Sequence, residues 1–390
     1  MTEVLLAINS GSSSLKFSLF CYHKNLKLLY RGEVERISDA PCLTIFNQHH
    51  TQILKKPIEI RGIEAGLEAF FKWFAQAPDN MRLKVIGHRI VHGGRYFLHP
   101  TLVNDDVLDK ITSLIPLAPF HQPQNLEAIK IIKTTYPDVP QIACFDTSFH
   151  STQKKLSTLF AIPRHLSEAG IVRYGFHGLS YEYIASVITH KIGEKGNQRV
   201  IVAHLGSGAS MCALYQRKSV ATSMGLTALD GLMMGSRCGT LDPGVILYLL
   251  EKNKLSVQEI SILLYQESGL LGVSGISSDM RELQSSLEPH AIEAVNLFCY
   301  SAAKELTALC TSLQGCDAII FTAGIGEQSS IVRKKICEHL QWIGVVLDDH
   351  ANTHHHTIIS HTDKSAILVG VIPTHEAYMI AEQSLKTSGL

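Results

Sequence analysis

Six short apolar runs, most of them rich in β-branched residues, each break off into a cluster of glycine, hydroxyl or charged residues. This repeated pattern restricts the possible folds more than any other feature of the chain. Val4–Ile8 leads to Asn9-Ser10-Gly11-Ser12-Ser13-Ser14, and Lys84–Ile86 leads to Gly87-His88-Arg89-Ile90-Val91-His92-Gly93-Gly94. Gln141–Phe145 leads to Asp146-Thr147-Ser148, and Arg199–Ala203 to His204-Leu205-Gly206-Ser207-Gly208. Asp317–Phe321 leads to Thr322-Ala323-Gly324-Ile325-Gly326-Glu327, and Ala366–Ile372 to Pro373-Thr374-His375-Glu376. Runs of this length read as buried strands. Chemistry collected at strand ends points to open α/β sheets, whose ligands sit beyond those ends. Helical periodicity fills the gaps. Glu64–Phe74 puts Leu67, Phe70, Phe71 and Phe74 on one face, Tyr181–Ile192 is amphipathic, and Pro289–Gln314 is a glycine-free helix opened by proline and closed by Gly315. At 390 residues, two domains or a duplicated fold are expected.

The first run returns after its turn as the alternating segment Leu15–Phe20, which predicts a strand, a tight turn and an antiparallel strand. Small residues at the turn let backbone N–H groups and hydroxyls point at a bound anion, with phosphate the expected guest. No Gly-x-x-x-x-Gly-Lys-Ser/Thr occurs, so this is not a P-loop. Taken alone, the segment also fits an ordinary polar hairpin. Val200–Tyr215 echoes the layout of residues 4–20: apolar strand, Gly/Ser turn, apolar strand. A two-lobed nucleotide clamp with one phosphate hairpin per lobe would show this echo, and so would two unrelated hairpins.

Charge and cysteine usage exclude several classes. With 35 basic and 35 acidic residues the formal net charge is zero, so no bulk field draws nucleic acid or an anionic membrane. Any anion site must be built locally. The nine cysteines form no Cys-x-x-Cys pair, and Cys144, Cys212, Cys299 and Cys310 sit in apolar runs, as reduced thiols of a cytoplasmic protein would. Glu3 stands where a signal peptide would be basic, and no apolar run has the length of a membrane span. His354-His355-His356 reads as a solvated loop, since no cysteine or carboxylate has ligand spacing around it.

Among the polar clusters, Arg89 and Arg237 lie on glycine-flanked segments that suit bidentate contact with carboxylate or phosphate oxygens, or a structural salt bridge. His177, in Gly175-Phe176-His177-Gly178, stands at a helix entrance where it could donate to an anion or simply pack in a turn. His121 lies in the proline-stiffened Pro119-Phe120-His121-Gln122-Pro123. Asp146 and Glu376 each follow an apolar strand, where a carboxylate serves as a magnesium ligand beside nucleotide phosphates or as a helix cap. His204 precedes the second Gly/Ser turn, and Gly324-Ile325-Gly326 would allow close backbone approach to a flat ligand.

These motifs, in this order, resemble the acetate kinase family of acyl-phosphate-forming kinases. The matching segments are Asn9–Lys16, Gly87–Gly94, Phe145–His150, Tyr174–Ser180, His204–Ser210, Gly235–Gly239, Thr322–Glu327 and Pro373–Glu376. The resemblance implies a homodimer whose protomer has two lobes of duplicated RNase-H-like, actin-like ATPase topology around a central cleft. The N-terminal lobe would be 1–148, completed by a C-terminal helix 375–390. The nucleotide-binding lobe, 149–374, would carry the dimer interface. The implied reaction is reversible phosphorylation of acetate by MgATP, with Mn2+ as a substitute ion. Carried over by position, Asp146, Arg89, His177 and Arg237 would be catalytic, His177 and Arg237 stabilising the phosphoryl group in flight. Arg89, Val91, Phe120 and Phe176 would bind the acid. Asn9, Ser14, Lys16, His204, Leu205, Gly206, Ser207, Gly208, Asp279, Met280, Arg281, Gly324, Ile325 and Gly326 would bind nucleotide. Asn9 and Glu376, with Asp146, would place the metal, and His121 matches a further histidine of the site.

Acetate is already ionised at pH 7, since carboxylic acids titrate near 4, so positioning and charge neutralisation would suffice. Ser207 stands where the family has asparagine, and His375 and Ala377 replace asparagine and glutamate around Glu376. Phe120 and Ala228 replace leucine and proline in the expected acyl pocket. Propionate is therefore the alternative acid, and a non-catalytic nucleotide-binding protein is the alternative class.

Overall fold

The first apolar run becomes strand β1 (Thr2–Ser10), buried on both faces, which is why it reads as a continuous apolar stretch instead of an alternating one. Val4, Leu6 and Ile8 pack with Leu67, Phe70, Phe71 and Phe74 of the helix Ile63–Gln76, while Leu5 and Ala7 pack with Met379 and Ile380. The computed structural model describes residues 2–11, 14–22 and 25–390. Ser12 and Ser13 of the first turn lie outside the described residues.

Two units emerge. One holds residues 1–149, 178–183 and 375–390, and the other holds 150–177 and 184–374. Among the described residues, the first unit's sheet has the order β5-β4-β3-β2-β1-β6-β8-β7. Its strands after β1 are β2 (Ser14–Tyr22), β3 (Leu26–Glu35), β4 (Cys42–Asn47), β5 (Gln52–Pro57), β6 (Met81–Ile90), β7 (Thr101–Leu102) and β8 (Gln141–Phe145). The second sheet has the order β11-β10-β9-β12-β13, with β9 (Arg199–Leu205), β10 (Ala209–Tyr215), β11 (Lys218–Thr222), β12 (Ala318–Thr322) and β13 (Leu368–Val371).

The echo between the two hairpins is part of a larger repeat. In the second sheet β9 pairs antiparallel with β10, and β10 with β11, while β9–β12 and β12–β13 are parallel. The first sheet repeats this sequence of pairings in β3-β2-β1-β6-β8. Each sheet therefore begins with a meander and continues with parallel crossovers.

Several strands run further than their apolar stretches. The sequence places Arg89 after a strand ending at Ile86, but β6 continues to Ile90, paired on one side with β1 (Ile8 opposite His88) and on the other with β8 (Arg89 opposite Cys144). Two flanking ladders satisfy the backbone there, so a polar stretch stays extended. His88, buried within it, donates from Nε2 to Gln141 Oε1 at 2.7 Å, and burial pushes its pKa down to about 4. Asn9 and His204 likewise end up inside β1 and β9. Gly324-Ile325-Gly326, read from the sequence as a place of close backbone approach, forms a turn of the helix Ala323–Gln328, with Ala323 left-handed at φ 65°. The other long elements follow the periodicity closely, as Gly178–Ile192 and Pro289–Leu313, the latter closed by left-handed Gln314 and Gly315.

The C-terminal helix Glu376–Ser388 returns to the first unit and packs on β1, β6 and β8. It lies so close to β6 that a Cβ on Gly87 would fall 2.1 Å from Ser384 Oγ and 2.6 Å from Ile380. A side chain there would push the helix, and with it Glu376, away from the strand that carries Arg89.

Candidate functional site

In the first unit, β6 and β8 run side by side and deliver Arg89 and Asp146 to the same end of the sheet. Arg89 Nη2 donates to Asp146 Oδ2 at 2.7 Å and Nε donates to both carboxylate oxygens at 3.1 Å, while Nη1 donates to Asn9 Oδ1 at 3.2 Å. The Asp146 side chain is 1% exposed and that of Arg89 is 20% exposed. Burial alone would pull the Arg89 pKa down. The charges of Asp146 and then Glu376, with the Asp146 hydrogen bonds, outweigh it and hold the guanidinium well above its ordinary value. Asn9, Arg89, Asp146 and Glu376 thus form one electrostatic group. Lys16 lies opposite Asn9 in the β1–β2 register and is exposed, and Ser14 begins β2, its carbonyl accepting from Gly11 N–H at 2.9 Å.

Glu376 opens the C-terminal helix, where a carboxylate is favoured by the helix dipole. The His375 departure has a physical explanation. The ring Nδ1 accepts the Tyr378 N–H at 3.2 Å, so histidine supplies the N-cap that asparagine would otherwise supply. The ring packs near Phe20, Tyr183 and Tyr378, and burial lowers its pKa. Ala377 packs beside the buried cluster of Met379 and Ile380.

Two residues that the motif reading passed over organise this end of the sheet. Asn125, buried on the helix Gln122–Thr135, donates from Nδ2 to the Ser10 carbonyl at 2.7 Å and accepts the Val91 N–H at 3.1 Å. It ties the end of β1 to the residue that follows β6. Gln122 grips His92 through both backbone groups, at 2.9 and 3.2 Å. Their signal was present in the proline-stiffened segment after Phe120 and His121: two amides three apart, on one helix face. His121 itself precedes that helix as its N-cap residue, and Phe120 is half-buried.

In the second unit the polar groups gather on the β9–β10 turn. A Cβ on Gly208 would lie 2.6 Å from Arg237 Nη2 and 3.3 Å from His177 Nε2, so both side-chain nitrogens converge on this backbone. His177 and His204 stack nearly parallel, 4.2 Å apart at 16°, and a Cβ on Gly206 would lie 3.9 Å from His204 Nε2. His177 is left-handed at φ 57°, a conformation costly for a residue with a Cβ. Next to it, Phe176 O accepts from His150 Nε2 at 3.0 Å. Arg237 is oriented through Nη1, which donates to the Ala228 carbonyl at 2.5 Å. Phe176 and Ala228 are both buried.

The remaining nucleotide candidates of this unit border the same turn. Gly235 N–H donates to the Ser207 carbonyl at 3.0 Å, and a Cβ on Gly235 would lie 3.2 Å from the Ser278 carbonyl. Asp279 follows Ser278 directly. It caps the helix Met280–Ser285 and pairs with Arg281, whose side chain is 89% exposed, while Met280 is buried. A Cβ on Gly206 would lie 3.7 Å from that of Ala323, which places the turn beside Gly324, Ile325 and Gly326. Leu205 is buried at the end of β9 and Ser207 is exposed at the tip. The helix Ala323–Gln328 is itself clamped. Glu327 Oε1 accepts from Ala323 N–H at 2.8 Å and Thr374 N–H at 3.1 Å, and the fully buried Arg333 donates to the carbonyls of Gly326 and Glu327 at 2.9 Å. Nothing in the periodicity of the helix Ser330–Glu338 marked Arg333.

Residues 4–382 match the sequence model of the Acetokinase family. The chain belongs to the acetokinase family. It is 46% identical over 388 residues to an acetate kinase of Rhodopseudomonas palustris, covering 98% of this chain and 97% of that protein. It is 42% identical over 388 residues to an acetate kinase of Rickettsia felis, covering 99% and 100%. Among solved structures, a propionate kinase from Francisella tularensis superposes with a TM-score of 0.92 at 35% identity, covering 98% of this chain and 99% of that one. Porphyromonas gingivalis acetate kinase superposes with a TM-score of 0.87 at 32% identity, covering 99% and 100%. The two mixed sheets thus have the actin-like ATPase fold of these acetokinase-family enzymes. The chain is a kinase of this family.

Proposed function

We propose that the protein transfers the γ-phosphoryl group of ATP to acetate, giving acetyl phosphate and ADP, and catalyses the reverse reaction. The observation that carries this reading is the convergence of Arg237 Nη2 and His177 Nε2 on Gly208, beside the segments of Ser207, Gly235, Asp279 and Gly324. Donors fixed around a glycine turn neutralise charge on phosphoryl oxygens without reorganising during transfer. Arg89 is the group we assign to the acid, since its planar fork already engages a carboxylate, that of Asp146. Acetate arrives ionised and attacks in line, so no strong base is required. Val91 and Phe120 are the apolar residues of the first unit that we assign to its methyl group. Lys16, Ser14 and His204 would add donors to the nucleotide phosphates.

Asn9 Oδ1 and the carboxylates of Asp146 and Glu376 are hard oxygen donors grouped around Arg89, a set that fits Mg2+, or Mn2+ in its place. Among the described residues no three His, Cys, Asp or Glu side chains form a cage, so the ion would complete its shell with water and phosphate oxygens. When bound, it would supply Lewis-acid neutralisation of the phosphate charge.

Two further assignments follow. The helix Pro243–Glu251, with Val245, Leu247 and Tyr248 exposed and no residue buried, supports a homodimer that covers this face. No described helix is long and apolar enough to cross a membrane. We place the enzyme in the cytoplasm, where its nine free thiols would stay reduced. Propionate is the second acid to consider, given the likeness to the Francisella propionate kinase. One methylene in an apolar pocket changes specificity by only about 1–3 kcal/mol. Trapping the product with hydroxylamine tests the reading. Acetohydroxamate should form in step with ATP consumption and at higher kcat/KM than the propionate product, whereas ATP turnover yielding no hydroxamate from either acid would overturn it.

A further inference from the structure

We infer that Ser210 is a positioning residue that fixes the tautomer of His177, keeping Nε2–H turned toward the transferring phosphoryl group. This deepens the function proposed above and rests on that reading of His177. Ser210 lies on β10, directly opposite His204 in the β9–β10 register, and is fully buried. Its Oγ stands 2.8 Å from His177 Nδ1. The other ring nitrogen, Nε2, faces Gly208 beside Arg237 Nη2.

A neutral imidazole carries its proton on one nitrogen only. To share a phosphoryl oxygen with the Arg237 guanidinium, Nε2 must donate. In the neutral ring Nδ1 is then the bare nitrogen, and a group able to donate to it locks that arrangement. A serine hydroxyl is such a group, because its hydrogen rotates to suit.

The same unit contains an internal precedent whose direction is settled by chemistry. His150 Nε2 lies 3.0 Å from the Phe176 carbonyl, which can only accept, so Nε2 carries the hydrogen. His150 Nδ1 is therefore the acceptor, and Ser219 Oγ, 2.9 Å away, donates to it. Two buried histidines of this unit thus each meet a serine hydroxyl at Nδ1. For His150 the Nε2–H goes to a backbone carbonyl, whereas for His177 it points at the glycine turn. The stacked His204 ring restricts rotation of the His177 plane, so the tautomer, not the rotamer, is the variable that Ser210 controls.

The test combines kinetics with imidazole 15N–1H spectra of the full-length enzyme, using His150 as the reference ring. Ser210→Ala should lower kcat by roughly 10- to 100-fold while the KM values for ATP and acetate change less than about threefold, and His177 should acquire an Nδ1–H population. Ser210→Thr, which keeps the hydroxyl, should restore most of kcat and the Nε2–H form. Wild-type kcat and an unchanged His177 tautomer in Ser210→Ala, beside a large loss in His177→Ala, would overturn the role of Ser210. A His177→Ala variant with wild-type kcat would remove the underlying reading as well. Equal losses in Ser210→Ala and Ser210→Thr with the His150 signals displaced would show a packing role only, and would also refute the inference.

Discussion

In the first unit the strand ends carry an arginine locked onto a buried carboxylate; in the second the β9–β10 turn is met by two stacked imidazoles, one from β9 and one from a helix entrance, and by a loop arginine held by a backbone carbonyl. The strand orders beneath them correspond, and so do positions: Asn9 and His204 are each the next-to-last residue of the first strand of the repeat. Topology therefore sets where ligands can be met, and the side chains at those places set what is met. On the roles we propose, the Arg89 guanidinium suits a small carboxylate and the oxygen acceptors around it suit a hard cation. Hydrogen-bond donors around Gly208 suit phosphate.

The sharpest way to break this contrast is to remove its carboxylate. Asp146→Ala leaves Arg89 without its bidentate partner and should reduce kcat/KM by about a thousandfold or more, measured by hydroxamate formation. A decrease under tenfold would mean that the first unit's ion pair only supports the fold.

Acid sensitivity probes both units at once, because each holds a buried neutral histidine, His88 and His150, whose pKa burial pushes down to about 4. A ring with a depressed folded pKa takes up its proton more readily when unfolded. Its contribution is therefore complete above pH 6.5 and is lost as the pH falls toward about 4. Each should cost roughly 1.4 kcal/mol per pH unit across that window. Urea unfolding at pH 7.0 and 5.5 should show the loss, and His88→Gln should flatten only its own share. A pH-independent midpoint would contradict neutral burial.

A smaller effect is expected at the cap of the C-terminal helix. His375→Ala should cost about 1 kcal/mol of stability, while His375→Asn should be nearly neutral. Equal losses in the two variants, measured by thermal unfolding, would show that ring packing outweighs the cap. The smallest change is expected at Ser207, exposed at the tip of the second turn. Ser207→Asn should keep or lower the KM for ATP, and a tenfold rise would refute simple replacement of one donor by a longer one.

The two sheets and the long helices were legible because apolar runs and 3.6-residue periodicity follow directly from burial. Arg89, His177 and Arg237 stood out as polar residues on glycine-flanked segments, and Asp146 as a carboxylate directly after an apolar run. Strand ends were less so: β6 runs through His88 and Arg89 because ladders on both sides hold it, and pairing partners distant in sequence leave no local trace. Asn125, Ser210 and Arg333 escaped for a related reason. Each works by touching backbone or a ring contributed from elsewhere in the chain; the amide pair with Gln122 is a local trace of Asn125, and nothing in the neighbourhood of Ser210 or Arg333 marks them. The capping role of His375 was hidden because histidine is an unusual N-cap.

The division of labour is tested most directly by comparing Arg89→Ala with Arg237→Ala in acetate kinetics and in ADP binding by calorimetry. We predict that Arg89→Ala binds ADP with wild-type affinity and raises the KM for acetate at least tenfold, while Arg237→Ala keeps that KM within about threefold and loses 100-fold or more in kcat. Identical defects in the two variants, or loss of ADP binding in Arg89→Ala with acetate binding retained, would contradict it.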